Sequence, residues 1–226
     1  MALSEQYDIC KLAFEGATGV LKHKIKENPH LATTKDETHR MPLHWAASGG
    51  HVEIIEFLLK QGVPVDARDE TGWTPLMIAA SAGRDQIVSI LITCGAQVNA
   101  VNQTGQCALH YAASKNRYEI AELLLQKGAD PDTGDQYSNT PLHRAASKGH
   151  VKLVKLLLQF NVDVNYRDSQ KSTPLHWACE EERAEVALLL VDRGADIAAL
   201  NKEEKTPLDF VSPGMKRSLE NRTIRR

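Results

Sequence analysis

The sequence lacks a charge excess: 27 lysines and arginines stand against 29 aspartates and glutamates, a formal net charge of -2. Gripping a nucleic-acid backbone needs a cationic surface, so no nucleic-acid partner is expected. The only basic cluster is a short tail, Lys216, Arg217, Arg222, Arg225 and Arg226, read as a solvated end. No apolar run is long enough to cross a bilayer, and the first residues, M-A-L-S-E-Q-Y-D-I-C, have neither the bases nor the apolar stretch of a signal peptide. No membrane contact is expected. Cysteines number only four, Cys10, Cys94, Cys107 and Cys179, with no C-x-x-C pair, and are read as packed free thiols in a reducing compartment. A Gly-rich phosphate loop is also missing, and no nucleophile, base and oxyanion donor converge, so neither a catalytic residue nor a cofactor is expected.

What the chain has in abundance is repetition. Pro42, Pro75, Pro141, Pro174 and Pro207 fall on one register with a step of 33 residues, and Ala108 fills the vacant place. Leu43, Leu76, Leu109, Leu142, Leu175 and Leu208 keep the same phase, as do Ala46, Ala79, Ala112, Ala145 and Ala178. Asn139 to Gln159 is the clearest copy. Thr140 is a good N-cap and Pro141 stands where a missing N–H costs nothing, so a helix starts there, carries Leu142, Ala145 and Ala146 on one face, and breaks at Gly149. Val151, Leu153, Val154, Leu156, Leu157 and Leu158 form a second helix too apolar to stand alone, so neighbouring copies must cover it. The second helices are expected to end in left-handed residues at Gly62, Gly95, Gly128, Asn161 and Gly194. The turns between helices use Gly50, Gly83 and Gly149, with Asn116 and, as an anomaly, Glu182 at the matching places.

This 33-residue unit resembles the ankyrin repeat, over nearly the whole chain. The fold implied is an all-α solenoid of about seven repeats with short β-hairpin-like fingers and degenerate terminal caps. Residues 1–226 read as one domain, with an N-terminal capping repeat at 1–35, five full repeats at 36–200, and a C-terminal capping repeat with its basic tail at 201–226. In the first cap Leu12, Ala13 and Gly16 keep the phase, Val20, Leu21 and Ile25 continue as the second helix, and Lys22, His23, Lys24, Lys26 and Glu27 supply the polar outer face. In the last cap Pro213 is expected to stop the first helix, leaving a second from about Met215 to Asn221 and frayed final residues.

His44, His110, His143 and His176 recur in register, but stacked copies stand about 10 Å apart, too far to share an ion held by bonds of about 2 Å. They are read as ties between neighbouring fingers, and no metal is expected. Asp36, Asp69, Asp135 and Asp168 are read as finger-start acids accepting local backbone bonds. Cys179 has His176 one turn away, too little to constitute a catalytic pair. Binding is the function this architecture serves, through a long concave surface of finger tips and first-helix residues. The position after the motif histidine reads Trp45, Ile78, Tyr111, Arg144, Trp177 and Phe210, residue types that interface anchors favour, with packing of each ring on the next finger as the competing reading. Arg40 and Trp73 share a finger position, Lys115 and Lys148 a helix-end position, and Glu180, Glu181 and Glu182 crowd the same edge further on. The residues expected to touch a partner are Arg40, Trp45, Glu70 and Trp73, then Tyr111, Lys115, Arg144 and Lys148, then Trp177 and Glu180.

Non-consensus stretches sharpen the resemblance. H-W-A-A-S-G-G-H-V-E-I-I-E-F-L-L from His44, L-H-Y-A-A-S-K-N-R-Y-E-I-A from Leu109 and N-K-E-E-K-T-P-L from Asn201 are similar to ankyrin-repeat proteins that chaperone assembly of the proteasome regulatory particle. That resemblance implies a monomer of the cytoplasm and nucleus. Its concave face would hold the C-terminal helical domain of one AAA-type ATPase subunit of the proteasome base, with Arg40 and Lys115 pairing acids on the ATPase. It also implies association with the retinoblastoma protein through an L-x-C-x-E motif, and with a cyclin-dependent kinase and a ubiquitin ligase. Here the matching stretch is Trp177-Ala178-Cys179-Glu180-Glu181, in which tryptophan replaces the leading leucine. The alternative reading is a regulator that occludes a cyclin-dependent kinase or a transcription factor.

Overall fold

The computed structural model describes residues 2–224, with side chains from Ile9 onward. Arg225, Arg226 and the expected fraying of the chain end therefore lie outside the described residues. Thirteen α-helices and two 3-10 turns make up the regular structure of those residues, and no strand occurs among them. The contacts group the chain into two compact units, residues 1–103 and 104–226.

The first unit opens with α1 (Ala2–Glu15) and α2 (Thr18–Glu27), followed by a 3-10 turn at Pro29–Thr33. Two full helix pairs follow, α3 (Pro42–Gly49) with α4 (Val52–Lys60) and α5 (Pro75–Ala82) with α6 (Asp85–Thr93). The second unit holds α7 (Ala108–Ser114) with α8 (Tyr118–Gln126), α9 (Pro141–Lys148) with α10 (Val151–Leu157), and α11 (Pro174–Glu180) with α12 (Ala184–Asp192). A 3-10 turn at Pro207–Phe210 and α13 (Pro213–Ile224) close it.

Every first helix of the full repeats starts on the proline register or on Ala108, as the sequence predicts. The Thr140 hydroxyl accepts the His143 N–H, the bond an N-cap makes. Helices of seven to nine residues are too short to hold their shape alone, so side-by-side stacking must stabilise them. Within the first unit α3 packs between α1 and α5; within the second, α9 packs between α7 and α11. The register leucines Leu43, Leu76, Leu109, Leu142 and Leu175 are buried to within 1%, each worth about 2 kcal/mol of transfer free energy. Leu208, in the last copy, is only half-buried.

Two expectations for the caps need correction. Lys22, assigned to the polar outer face of the first copy, instead turns toward α4: its ammonium meets Glu53 at 2.5 Å and lies over the Phe57 ring. At the other end the penultimate element is one 3-10 turn ending at Phe210, before Pro213, and Pro213 is the first residue of α13 rather than a breaker. Proline at N1 forfeits no intrahelical bond. The last helix accordingly runs from Pro213 to Ile224, longer at both ends than the predicted Met215 to Asn221.

The left-handed positions agree with the sequence reading: Gly62, Gly95, Gly128, Gly194 and Asn161 all have positive φ, and so do Asn116 and Glu182. At Gly50 and Gly149 glycine is required by more than φ. A Cβ on Gly149 would stand 2.8 Å from Arg183 Cδ, and one on Gly50 3.0 Å from Arg84 Nε. Glu182 escapes this because its turn borders a cavity of about 250 Å³, lined also by Val211, Ser212 and Met215.

Candidate interaction surface

Each finger is a tight turn organised by its first acid. In the first unit Asp36 Oδ1 accepts the N–H groups of Thr38 and Arg40, both at 2.9 Å, and Asp69 Oδ1 those of Thr71 and Trp73. In the second, Asp135 Oδ1 serves Tyr137 and Asn139, and Asp168 Oδ1 serves Gln170 and Ser172. Asn201 repeats the pattern in the last copy with Glu203 and Lys205. A single backbone bond then links each finger to the next within a unit, Glu70 N–H to the Thr38 carbonyl and Ser169 N–H to that of Tyr137, for example. These are hairpin-like turns without ladders.

The histidines lock the same junctions. His44 Nδ1 accepts the Met41 N–H at 3.1 Å while Nε2 lies 2.9 Å from the Ala67 carbonyl. His110, His143 and His176 repeat the Nδ1 contact, while their Nε2 atoms reach carbonyls six residues further along the repeat, those of Asn139, Ser172 and Lys205. An Nδ1 that accepts from an N–H fixes the neutral tautomer with its proton on Nε2. Burial lowers all four imidazole pKa values despite the carbonyl bonds and nearby aspartates that raise them, His143 to about 4.

In three fingers, those of Asp36, Asp135 and Asp168, the second carboxylate oxygen holds the residue after the motif histidine, an arrangement the sequence does not announce. Trp45 Nε1–H donates to Asp36 Oδ2 at 2.7 Å, Trp177 Nε1–H to Asp168 Oδ2 at 2.9 Å, and the Arg144 guanidinium to Asp135 Oδ2. Tyr111 donates instead to Gln106 Oε1. The competing expectation, that these rings pack on the next finger, is thus met differently: the polar edge of Trp45, Arg144 and Trp177 is anchored to the finger of its own repeat. Burial would raise the Asp36, Asp69 and Asp135 pKa values, but the hydrogen bonds they accept outweigh it and hold all three below the ordinary carboxylate value.

The predicted contact residues divide by what already holds them. Arg40 is committed within the first unit: its Nε–H donates to Asp69 Oδ2 at 3.0 Å and its guanidinium stacks 5.3 Å from the Trp45 ring, which Phe14 meets edge-on. Its side chain nonetheless remains 30% exposed. Trp73 is half-buried beside Asp69, and Glu70 is exposed at the finger tip. In the second unit Lys115 and Lys148 are exposed at the ends of α7 and α9. Neither ammonium has a hydrogen-bond or ion-pair partner among the described residues. Trp177 and Glu180 line one cavity with Phe210 and Lys205, where Lys205 pairs with Glu203 and lies over the Phe210 ring.

A further set escaped sequence reasoning. His51 Nε2 lies 2.7 Å from the Phe14 carbonyl, Arg84 Nε–H donates to Ser48 O, His150 Nε2 lies 3.3 Å from Ser114 O, and Arg183 Nε–H donates to Ser147 O. Each of these long side chains lies across the preceding repeat's turn. The signal was present: this register carries only histidine or arginine, at 51, 84, 117, 150 and 183.

The thiols need one correction. Cys10, Cys107 and Cys179 are buried, but Cys94 is exposed at the end of α6. Burial pushes Cys10 and Cys179 up to about 12. The Cys107 thiol lies 3.1 Å from His110 Nδ1, the place that the Thr140 and Thr173 hydroxyls take beside their own histidines, and burial raises its pKa as well. With both His110 nitrogens bonded to backbone, this pair is an N-cap and not an activated nucleophile. Among the described residues no group of three or more His, Cys, Asp or Glu is placed to hold a metal ion, and no helix is long and apolar enough to cross a membrane.

Helix pairs on a 33-residue register, linked finger to finger by a histidine and one backbone bond, define a repeat scaffold that binds other proteins. The family profile described as ankyrin repeats (3 copies) matches residues 1–102, 43–135 and 109–201, and the chain belongs to that family. Its fold is similar to the ankyrin repeat domain of Bcl-3, described as a unique member of the IkappaB protein family. The TM-score is 0.82 at 24% identity, over 94% of this chain and 97% of that one. The human ASB11 ankyrin repeat domain is similar at TM-score 0.84 and 28% identity, over 95% and 96%. In sequence the chain is 55% identical over 58 residues to 26S proteasome non-ATPase regulatory subunit 10 of Mus musculus, also called gankyrin, and equally identical to the Homo sapiens protein over 58 residues. The Rattus norvegicus protein matches at 55% over 60 residues. Each aligned stretch covers 26% of this chain and about a quarter of the relative's length.

Proposed function

We propose that the chain chaperones assembly of the proteasome regulatory particle, holding the C-terminal domain of one AAA-type ATPase subunit against the fingers and first helices of its repeats. It does so as a monomer, in cytoplasm and nucleus, by shape and charge rather than by catalysis. The observation that carries this reading is the 55% identity to 26S proteasome non-ATPase regulatory subunit 10. Lys115 and Lys148 support it as exposed cations on one register with no internal partner, free to meet acids on another protein. Arg40 contributes an exposed edge of a guanidinium already oriented by Asp69 and Trp45.

The retinoblastoma protein is not part of this proposal. Cys179 is 1% exposed within α11, so a receptor that reads L-x-C-x-E as an extended peptide would have to unfold that helix first. The test is affinity purification from cell lysate with identification of subunits, followed by titration of the purified ATPase domain against Lys115→Glu. Regulatory-particle ATPases without the core protease, and weakened binding by the variant, are the expected results. Recovery of a cyclin-dependent kinase or a ubiquitin ligase alone, or unchanged affinity for the variant, refutes the proposal.

A further inference from the structure

Five hydroxyl residues precede a proline: Thr74, Thr140, Thr173, Thr206 and Ser212. An enzyme that modifies a hydroxyl followed by proline needs that hydroxyl in solvent on extended backbone, and proline itself keeps the preceding residue extended. The fold withdraws four of the five. Thr74, Thr140 and Thr173 have no exposed surface, because each caps a first helix inside the stack. Thr206 is half-buried and its hydroxyl donates to Asp209 Oδ2 at 2.8 Å. Ser212 alone stands in the open, followed by exposed Pro213 and Gly214, in the link between the last 3-10 turn and α13. Val211 before it is extended, and the Ser212 hydroxyl makes only a long bond, accepting the Met215 N–H at 3.4 Å.

The geometry points to Ser212 as the phosphate acceptor of a proline-directed protein kinase, a modification that reinforces the C-terminal cap. In the transfer Ser212 Oγ attacks the γ-phosphorus of ATP. An O–P bond forms as the bond from that phosphorus to the bridging oxygen breaks, ADP leaves, and the hydroxyl proton passes to the kinase's base. The product carries about -1.5 to -2 charges at the start of a 12-residue helix, whose first N–H groups have no helical partner. Lys216 is exposed one turn on, its backbone already bonded to the Ser212 carbonyl at 2.9 Å. Arg183 lines the cavity that Ser212 borders. Glu182 on the same cavity, Glu181 at 3.7 Å from the Arg183 guanidinium and Asp209, which Lys216 also faces, oppose the phosphate, while the unpaired N–H groups of the helix start favour it. Ser212 does not belong to the surface proposed for the ATPase, so this inference stands apart from that reading.

The native full-length chain is incubated with ATP and a proline-directed kinase, and the product is read by intact mass and fragment sequencing. One phosphate on Ser212, none on the four threonines, and none taken up by a Ser212→Ala variant of unchanged circular dichroism are expected. Amides of α13 should then exchange several-fold more slowly in the phosphorylated chain. Absence of phosphate at Ser212, its appearance on Thr140 or Thr173 in the native chain, or faster exchange in α13 would overturn the inference.

Discussion

Acid should unfold the second unit well above the pH at which its carboxylates titrate, through His143. Buried, with Nδ1 accepting the Thr140 N–H and Nε2–H donating to the Ser172 carbonyl, this imidazole has no room for a second proton, and its pKa falls from 6.5 to about 4. Above pH 6.5 it is neutral in both states and its contribution is fully present. Between 6.5 and about 4 only the unfolded chain takes up the proton, so stability falls with pH at up to about 1.4 kcal/mol per pH unit, a loss of about 3 kcal/mol in all. Below pH 4 no more is lost from this group. His110 and His176 in the same unit, and His44 in the first, have lowered values for the same primary cause and steepen the slope. Urea unfolding followed by circular dichroism at half-unit steps from pH 7.5 to 4 reads the effect. His143→Gln, which cannot protonate, should remove about one proton from the slope. The reasoning fails if the wild-type midpoint is flat between pH 6.5 and 5, or if NMR titration places the His143 imidazole at or above 6.5.

Arg40→Ala should destabilise the first unit by about 2 kcal/mol, because the Asp69 side chain it leaves behind is 3% exposed; Lys115→Ala, with nothing to lose inside the chain, should stay within about 0.5 kcal/mol. Equal losses in urea titrations of the two variants would contradict that division. Glu182→Gly should stabilise by about 1 kcal/mol by relieving a left-handed glutamate, seen as a raised urea midpoint; a lowered midpoint would mean the turn is not strained. Of the four thiols, Cys94 alone should react promptly with a thiol reagent in the native protein, with Cys10, Cys107 and Cys179 following on unfolding; prompt labelling of two or more would show the buried assignments wrong.

The proline register made the full repeats legible, because a missing N–H and a Thr cap act locally, within one turn of the residues that carry them. The caps were less legible. Pro213 has the same local effect as Pro141, but whether it ends one helix or starts the next depends on where Phe210 lets the chain turn, which is settled by packing against α11. The candidate surface was readable as a set of positions and not as a set of bonds. Trp45 and Arg144 stand out as anchor types in the sequence, yet that their polar ends belong to Asp36 and Asp135 follows from a separation of nine residues that no helix or strand period contains. Arg84 and Arg183 escape notice because an exposed cation after the turn between two helices looks like solvated surface until the neighbouring repeat is placed beneath it.

The tether from Asp36, Asp135 and Asp168 to the tryptophan or arginine nine residues on gives each of those three repeats its own aiming device. A 33-residue block cut at the finger starts and moved elsewhere in the array should bring its ring or guanidinium along already pointed, since the bond that orients it travels with it. New specificities could then be composed by shuffling whole blocks, leaving the aspartate untouched and exchanging only what it holds.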